Sequence, residues 1–250
     1  MEGSFVLQVT LIGFFAGVLG TLLGGVLGLL FKVSRGNKLS FILGFAAGIM
    51  MAIVFLELIL ETMEMDLIAW GTAGLVIGVL VFLLLDFLIP HHHTVTDDGG
   101  DARFLKKGTL LTLGIGLHNL PEGLAIGAGF AASSELGVTL ALVIALHNIP
   151  EGLAVATPLV MAKISKTRVL LMTAGAGLPM AVGAFLGGVI GNISLLLLAV
   201  SLGFAGGAML YIVCDELIPD AYEEAKNTHW PIMGILIGVV MGIILINVFG

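Results

Sequence analysis

Long apolar segments, separated by short polar stretches, are the feature that most limits how this chain can fold. Most are about 20 residues or longer, which at 1.5 Å per residue is enough for an α-helix to cross a hydrocarbon core about 30 Å thick. The sequence therefore predicts an all-α, polytopic membrane protein with eight transmembrane helices. They are expected near residues 5–31, 39–60, 68–89, 107–131, 136–161, 168–190, 193–217 and 230–249.

The composition leaves little sequence for a separate soluble domain. Hydrophobic residues make up 58% of the 250 residues and charged residues 11%, whereas soluble domains are about half apolar and a quarter charged. We therefore expect residues 1–250 to form a single transmembrane domain. The only cysteine, Cys214, excludes an intramolecular disulfide framework and a metal site built from cysteines.

The basic residues predict the orientation of the chain, because short cytoplasmic loops are enriched in Lys and Arg. All ten lie near the loops that follow predicted helices one, three, five and seven: Lys32, Arg35, Lys38, Arg103, Lys106, Lys107, Lys163, Lys166, Arg168 and Lys226. The opposite loops carry acidic residues and no base. We therefore predict that both termini lie outside and that residues 90–106 form a cytoplasmic loop containing histidines.

Glycine recurs at helical spacing in two of the predicted helices. Gly20, Gly24 and Gly28 lie in the first, and Gly183, Gly187 and Gly191 lie in the sixth. Small residues four apart let helix backbones approach closely in lipid. We interpret both sets as packing seams.

A duplicated motif in predicted helices four and five carries the chemistry. The segments 117–125 and 146–154 both read L-H-N-x-P-E-G-L-A and differ only at Leu120 and Ile149. Each copy begins about eleven residues into its helix, so both are expected near the bilayer midplane. Because consecutive helices are antiparallel, the copies face each other head to tail, and the pseudo-twofold arrangement predicts one site between them.

The residue types in this motif suit a divalent cation. His and Glu at i and i+4 share a helix face, so His118 can act with Glu122 and His147 with Glu151. The proline between them removes a backbone donor and is expected to break the helix, freeing carbonyls to face a cavity. Imidazole and carboxylate together suit zinc and neighbouring transition metals.

An alternative is that the two histidines only form hydrogen bonds between helices, as single intramembrane histidines usually do. Two buried glutamates argue against it, because a charged side chain at the bilayer centre costs a few kcal/mol.

Acidic and histidine residues near the ends of the predicted helices are candidates for the approaches to this site. Glu57 and Glu61 lie near the outer end of the second helix, where acidic side chains concentrate cations. A solvated acidic loop explains the neighbouring Glu64 and Asp66 equally well. The inner candidates are Asp86, His91, His92, His93, Asp215 and Glu216.

The chain resembles the ZIP (ZRT/IRT-like protein) metal transporters along its whole length. The resemblance rests on the motif pair, the eight helices with both ends outside and the histidine-containing loop. Because both motif copies contain histidine, the chain is most similar to the bacterial broad-specificity and zinc-uptake branch of that family. The resemblance implies a transport site lined by Met50, His118, Asn119, Glu122, His147, Asn148 and Glu151, with the two glutamates able to bridge two ions.

One position departs from the family pattern. Many relatives have Glu-Pro in the sixth helix, where this chain has Met180 after Pro179. A thioether sulfur is a soft, neutral ligand. A second metal position is therefore left open, and Asn148, where some relatives carry Asp, weakens it further.

The leading hypothesis is transport of Zn²⁺ into the cytoplasm, with iron, manganese and cadmium left open. Zinc is then the transported substrate, and the chain is not an enzyme. The expected location is the plasma membrane or a bacterial inner membrane, with metal ions and the lipid bilayer as partners and no nucleic acid; a homodimer is left open. The resemblance implies import, and alternating access by movement of helices four and five against helices two, three, seven and eight.

Two alternatives come from other functional classes. An intramembrane metal-dependent hydrolase would also use His and Glu at zinc, but the chain has no H-E-x-x-H motif. A metal sensor would need an output domain, and none is recognisable in the short loops.

Overall fold

The computed structural model describes residues 2–31, 36–88, 101–225 and 228–249, and within these ranges the regular structure is helical throughout. We number eight helical rods in chain order. They are α1 (Glu2–Phe31), α2 (Asn37–Ile53, Val54–Leu58 and Ile59–Glu64), α3 (Ile68–Leu88), α4 (Asp101–Ala132), α5 (Ser134–Met161), α6 (Lys166–Gly177 and Pro179–Gly191), α7 (Leu195–Ile212, Val213–Leu217 and Ile218–Ala225) and α8 (Trp230–Phe249). The prediction of an all-helical, polytopic membrane protein is confirmed.

Among the described residues, seven rods are long and apolar enough to cross a membrane, namely all but α4. The α4 rod is nevertheless 32 residues long, about 48 Å at 1.5 Å per residue. Its apolar character is diluted by the motif residues His118, Asn119 and Glu122, and also by the polar and small residues that precede them, Lys106, Lys107, Gly108, Thr109 and Thr112. The motif by itself does not set α4 apart, because α5 carries the same motif residues and is in the set. That all eight rods cross the membrane, with both termini outside, stays a prediction.

The rods pack as two groups. The motif bundle consists of α1, α4, α5 and α6, in which α1 packs along α5 and α4 packs along α6. The flanking group consists of α2, α3, α7 and α8, in which α2 packs along α8 and α3 along α7. The two groups meet chiefly where α4 contacts α7 and α5 contacts α2. The motif helices are thus enclosed between other helices.

Glycines set the close approach of helices inside the motif bundle. A Cβ atom on Gly24 would overlap the backbone of Ile149 in α5, and one on Gly183 would overlap the backbone of Leu120 in α4. Contacts at this distance are available only to glycine, which is how small residues stabilise helix pairs in lipid. The predicted packing seams on α1 and α6 are confirmed.

The motif prolines do not break their helices, and that prediction is wrong. Pro121 lies inside α4, and Pro150 and Pro158 lie inside α5, while both rods remain helical on either side. The interruption occurs instead in α6, where one helical segment ends at Gly177 and the next begins at Pro179. Neighbouring helices pack tightly around α4 and α5, which lets a proline be accommodated within a continuous membrane helix.

We refer to the end of the molecule with Glu64, Ser133 and Asn247 as the outer end, following the orientation predicted from the basic residues. The opposite end, with Asp101, Met161 and Ala225, is the inner end. Along α4 from the inner end, His118 is reached one turn before Glu122. Along α5 from the outer end, His147 is reached one turn before Glu151.

Candidate metal centre

The two motif copies meet because α4 and α5 are antiparallel neighbours. The motif glycines allow other helices to close over them. A Cβ atom on Gly123 would overlap the Met180 carbonyl in α6, and one on Gly152 would overlap the backbone of Thr21 in α1. The glycine that follows each glutamate is therefore required for packing. The close helix contact that it allows excludes water from the neighbouring carboxylate.

Three side chains form a compact cluster in the centre of the motif bundle. Glu122, His147 and Glu151 each offer one ligand atom, and these atoms lie within 4.8 Å of one another. His147 Nε2 is 2.8 Å from Glu122 Oε1 and 4.0 Å from Glu151 Oε1. All three residues are fully buried. The cluster therefore combines one ligand group from α4 with two from α5.

The cluster leaves one carboxylate oxygen without a hydrogen bond. Glu151 Oε1 is buried and accepts no hydrogen bond. His147 Nδ1 is also buried and forms no hydrogen bond. A buried polar atom without a partner costs about 1–3 kcal/mol. A divalent cation among these atoms would satisfy the carboxylate and balance the two negative charges.

Asn148 closes one side of the cluster. Its surroundings assign the amide nitrogen to the side of the glutamates, 3.2 Å from Glu122 Oε2 and 3.2 Å from Glu151 Oε2. The other end of the amide lies 3.9 Å from the sulfur of Met180. Met180, also fully buried, therefore lies beside Asn148, on the side of the amide away from the glutamates.

His118 is held separately from this cluster. Its Nδ1 donates a hydrogen bond of 2.7 Å to the Gly114 carbonyl, so Nε2 is the ring nitrogen that remains available to other groups. Nε2 lies 3.6 Å from Oε2 of Glu216 in α7. The Glu216 side chain is 26% exposed, whereas that of His118 is 2% exposed. The pair therefore connects the buried interior to a more accessible position.

Asn119 and Met50 are also buried. The Asn119 amide nitrogen donates to the Ile115 carbonyl at 2.9 Å and to the Ala176 carbonyl at 3.0 Å. Because the nitrogen is committed, only its oxygen could serve a cation. Met50 lies in the core on α2, a rod that packs against α5.

The outer candidates line a cavity of about 420 Å³ between α2, the start of α5 and the end of α8. Glu57 and Glu61 both face it, together with Glu64 and Glu135. Two of the acidic residues that the sequence analysis singled out are thus brought to one opening.

The inner candidates are only partly described. Glu216 lies beside His118 in a small cavity shared with Leu117, Tyr211 and Ile212. Asp215 precedes it in the same π-helical turn of α7. Asp86 is on α3, but its side chain lies outside the described part of the structure, as do His91, His92 and His93 entirely.

Comparison with known proteins decides the family. A family model described as ZIP Zinc transporter matches residues 96–249. The chain is 36% identical over 236 residues to the zinc transporter ZupT of Enterobacter sp. (strain 638), covering 90% of this chain and 91% of that protein. The chain belongs to the ZIP zinc transporter family. The ZupT proteins of Shigella flexneri and Salmonella paratyphi A are also 36% identical, over 236 and 237 residues, with the same coverage of both chains.

Family membership settles the functional class. The protein is a multi-pass cell-membrane transporter of divalent metal cations and not an enzyme. The predicted family, functional class and location are confirmed, and the hydrolase and sensor hypotheses are set aside. The buried cluster of two glutamates and a histidine fits such a cargo.

The sequence contains a second repeat, in α2 and α7, that the predictions above did not include. The segments 43–59 in α2 and 202–218 in α7 both read L-G-F-A-x-G-x-M-x-x-I-V-x-x-E-L-I. This second repeat contains Met50 and Glu57 in one copy and Glu216 in the other. A comparison of the chain with itself at a separation of 159 residues would have found it, because eleven of the seventeen positions are identical.

Proposed function

We propose that this protein carries Zn²⁺ into the cytoplasm and that Glu122, His147 and Glu151 bind the ion during transport. The observation that carries the proposal is the convergence of these three buried ligand groups, with Glu151 Oε1 accepting no hydrogen bond. One nitrogen and two carboxylate oxygens suit zinc, whose catalytic sites often have three protein ligands and an open fourth position. The names of the ZupT relatives support the same ion.

Asn148 and Asn119 are proposed to complete the site in different ways. Rotation of the Asn148 amide would turn its oxygen from Met180 toward an ion held by the glutamates. Asn119 is anchored through its nitrogen to α4 and α6, so its oxygen is the available ligand. Met50 is a neutral sulfur donor at most. His118 is assigned to the inner side of the cluster, beside Glu216.

The route is proposed to begin at the cavity lined by Glu57 and Glu61 and to end past His118 and Glu216. Acidic walls raise the local concentration of cations at the outer opening. On the inner side, the partly exposed carboxylate of Glu216 offers the ion a ligand nearer to water. Asp86, Asp215 and the residues His91–His93 stay predictions for the inner route.

Movement of the motif bundle against the flanking group is the proposed means of alternating access. The grouping of α1 with α4, α5 and α6 supports it, because the ligands from both motif copies then move together. The bond between His147 and Glu122 ties α4 to α5 at the site. Formation of a homodimer stays a prediction.

Uptake into liposomes tests the proposal. Purified protein should admit Zn²⁺, and Glu122→Ala or Glu151→Ala should each abolish uptake. Glu135→Ala is a matched control for the loss of one carboxylate, because this glutamate is exposed at the start of α5 and lies outside the cluster, and it should keep most of the uptake. Undiminished uptake by both cluster variants would refute the proposed site. Competition among Zn²⁺, Cd²⁺, Mn²⁺ and Fe²⁺ in the same assay would define the selectivity, because the Irving–Williams order alone does not choose the physiological ion.

A further inference from the structure

The repeat shared by α2 and α7 extends from sequence to local structure. Both rods contain a π-helical turn at the same place in the repeat, Val54–Leu58 in α2 and Val213–Leu217 in α7. The pattern of buried and exposed side chains is the same over residues 53–61 and 212–220. Such π-turns are often found at functional sites. Glu57 and Glu216 are the fourth residues of the two turns, and both are partly buried.

The helix contacts follow the same repeat. The repeat relates α1 to α6, α2 to α7, α3 to α8 and α4 to α5. When each helix is replaced by its counterpart, every main packing pair becomes another main packing pair. The pair α1–α5 becomes α6–α4, and α2–α8 becomes α7–α3; all four are extensive. The contact of α4 with α7 likewise becomes the contact of α5 with α2. The fold is therefore a pair of inverted halves, as in many secondary transporters.

This exchange relates individual residues at the centre of the protein. A shift of 159 residues takes Glu57 onto Glu216, and a shift of 29 residues takes His118 onto His147. The contact of His118 with Glu216 therefore has an image, which is a contact of His147 with Glu57.

Of these two contacts, the structure forms the first. His118 Nε2 is 3.6 Å from Glu216 Oε2. His147 Nε2 is instead bonded to Glu122 at 2.8 Å, and Glu57 lines the outer cavity beside the start of α5. The leucine that precedes each histidine shows the same asymmetry between the two halves. Leu117 lines the small cavity around His118 and Glu216, whereas its counterpart Leu146 is 43% exposed.

Two inverted halves in different arrangements are what an alternating-access carrier needs, because exchanging the arrangements produces the opposite state. We propose that Glu57 and Glu216 are alternating partners of the two motif histidines: Glu216 pairs with His118 in the state described here, and Glu57 pairs with His147 in the opposite state. The proposal rests on the proposed function, since it assigns the two glutamates to the two openings of one transport site.

Each glutamate then has a defined role in passing the cation. In the present state, the cluster of Glu122, His147 and Glu151 leads to His118 and on to Glu216 at the inner side. In the opposite state, His118 joins the cluster and His147 is released toward Glu57 at the outer side. A carboxylate that is partly exposed can exchange its cation with water, whereas the fully buried cluster cannot.

Cross-linking tests the alternation directly. In a Cys214→Ser background, Leu117→Cys with Ile212→Cys reports the contact of α4 with α7, and Leu146→Cys with Ile53→Cys reports its image between α5 and α2. A short bifunctional thiol reagent should link both pairs, and either link should stop Zn²⁺ uptake. Linking of the first pair alone, with and without Zn²⁺, would overturn the proposal. Size-exclusion elution checks that each variant is folded.

Conservative substitutions supply a second test that does not alter the core. Glu57→Gln and Glu216→Gln should each lower Zn²⁺ uptake at least about tenfold, as is common for groups that support a metal site. Equilibrium Zn²⁺ binding should stay within about threefold, because the main cluster is intact. Glu135→Gln, in the same cavity as Glu57 but outside the repeat, should show only a small loss that disappears at high ionic strength.

The outcomes separate this proposal from the proposed function. Equal, salt-sensitive losses in Glu57→Gln and Glu135→Gln would mean that Glu57 only attracts cations, and would overturn the alternation. An absence of Zn²⁺ uptake by the unmodified protein would instead refute zinc transport. The cross-links would still report whether α5 and α2 reach the second arrangement, because their formation does not depend on flux.

Discussion

His147 Nε2 lies 2.8 Å from Glu122 Oε1, so a histidine from one motif copy is held by a glutamate from the other. Neither copy assembles this arrangement alone. Within one copy, His147 and Glu151 are separated by 4.0 Å across a helical turn. The shorter contact is the one between helices, which makes the site a property of the α4–α5 pair.

The two histidines should respond differently to substitution. His147→Gln should weaken Zn²⁺ binding by at least about tenfold, because it removes a member of the buried cluster. His118→Gln should change binding by less than about threefold but lower uptake at least tenfold, because His118 lies between the cluster and Glu216. Equilibrium dialysis and liposome uptake measure the two quantities. Equal losses of binding in both variants would contradict this division.

Met180→Glu should create a second metal position. A carboxylate there would lie beside Asn148 and near both cluster glutamates, so we expect the bound zinc to rise from one to two ions per chain. The new buried charge should make the fold depend on metal, since an unpaired buried charge costs about 3–5 kcal/mol. Metal quantification after dialysis and thermal unfolding with and without Zn²⁺ test both effects. Met180→Leu should bind one ion, and a single ion in both variants would refute the prediction.

Gly152→Ala should destabilise the protein because the added Cβ would overlap the backbone of Thr21. Overpacking of this kind costs about 1–3 kcal/mol. Gly175→Ala is the matched control, since nothing lies within 4 Å of a Cβ at that helical position, and the better helix propensity of alanine should be neutral or slightly stabilising. Thermal unfolding in detergent compares them. A wild-type melting temperature for Gly152→Ala would show that α1 does not pack as described.

Zinc binding should weaken as the pH falls. Histidine and glutamate bind metal in their deprotonated forms, so Zn²⁺ must displace any proton they carry. Where a ligand is already protonated, each displaced proton lowers the apparent affinity by about tenfold per pH unit. Glu151→Gln removes one such site and should give a shallower dependence. Zinc titrations across a pH series at constant ionic strength provide the comparison, and equal slopes would contradict the prediction, because they would show that Zn²⁺ displaces no proton from Glu151.

The sequence contained enough information for the fold class and the chemistry of the site. The length of the apolar segments favours membrane helices because backbone groups in lipid must be paired within the helix. Histidine and glutamate are residue types that bind a borderline divalent cation. Their i, i+4 spacing, at His118 and Glu122 and again at His147 and Glu151, places each pair on one helix face. The glycines on α1 and α6 predicted close helix contacts that the structure contains.

Local signals failed where neighbouring helices decide the outcome. Proline at positions 121 and 150 predicted broken helices, yet both rods continue through them. The helix is interrupted instead at Leu178 in α6, close to Met180, where no break was predicted. The groups that surround a carbonyl freed by proline belong to neighbouring helices. They are distant in the sequence, so a local sequence pattern cannot predict them.

The sequence by itself therefore determined that the chain crosses a membrane with two copies of a metal-binding motif in adjacent helices. Only the tertiary structure decided which ligands act together. It placed Glu122 with His147 and Glu151, assigned His118 to Glu216 in α7, and turned Asn148 toward the carboxylates. The physical reason is that helix periodicity fixes which residues share a face, whereas distances between helices depend on packing over the whole bundle.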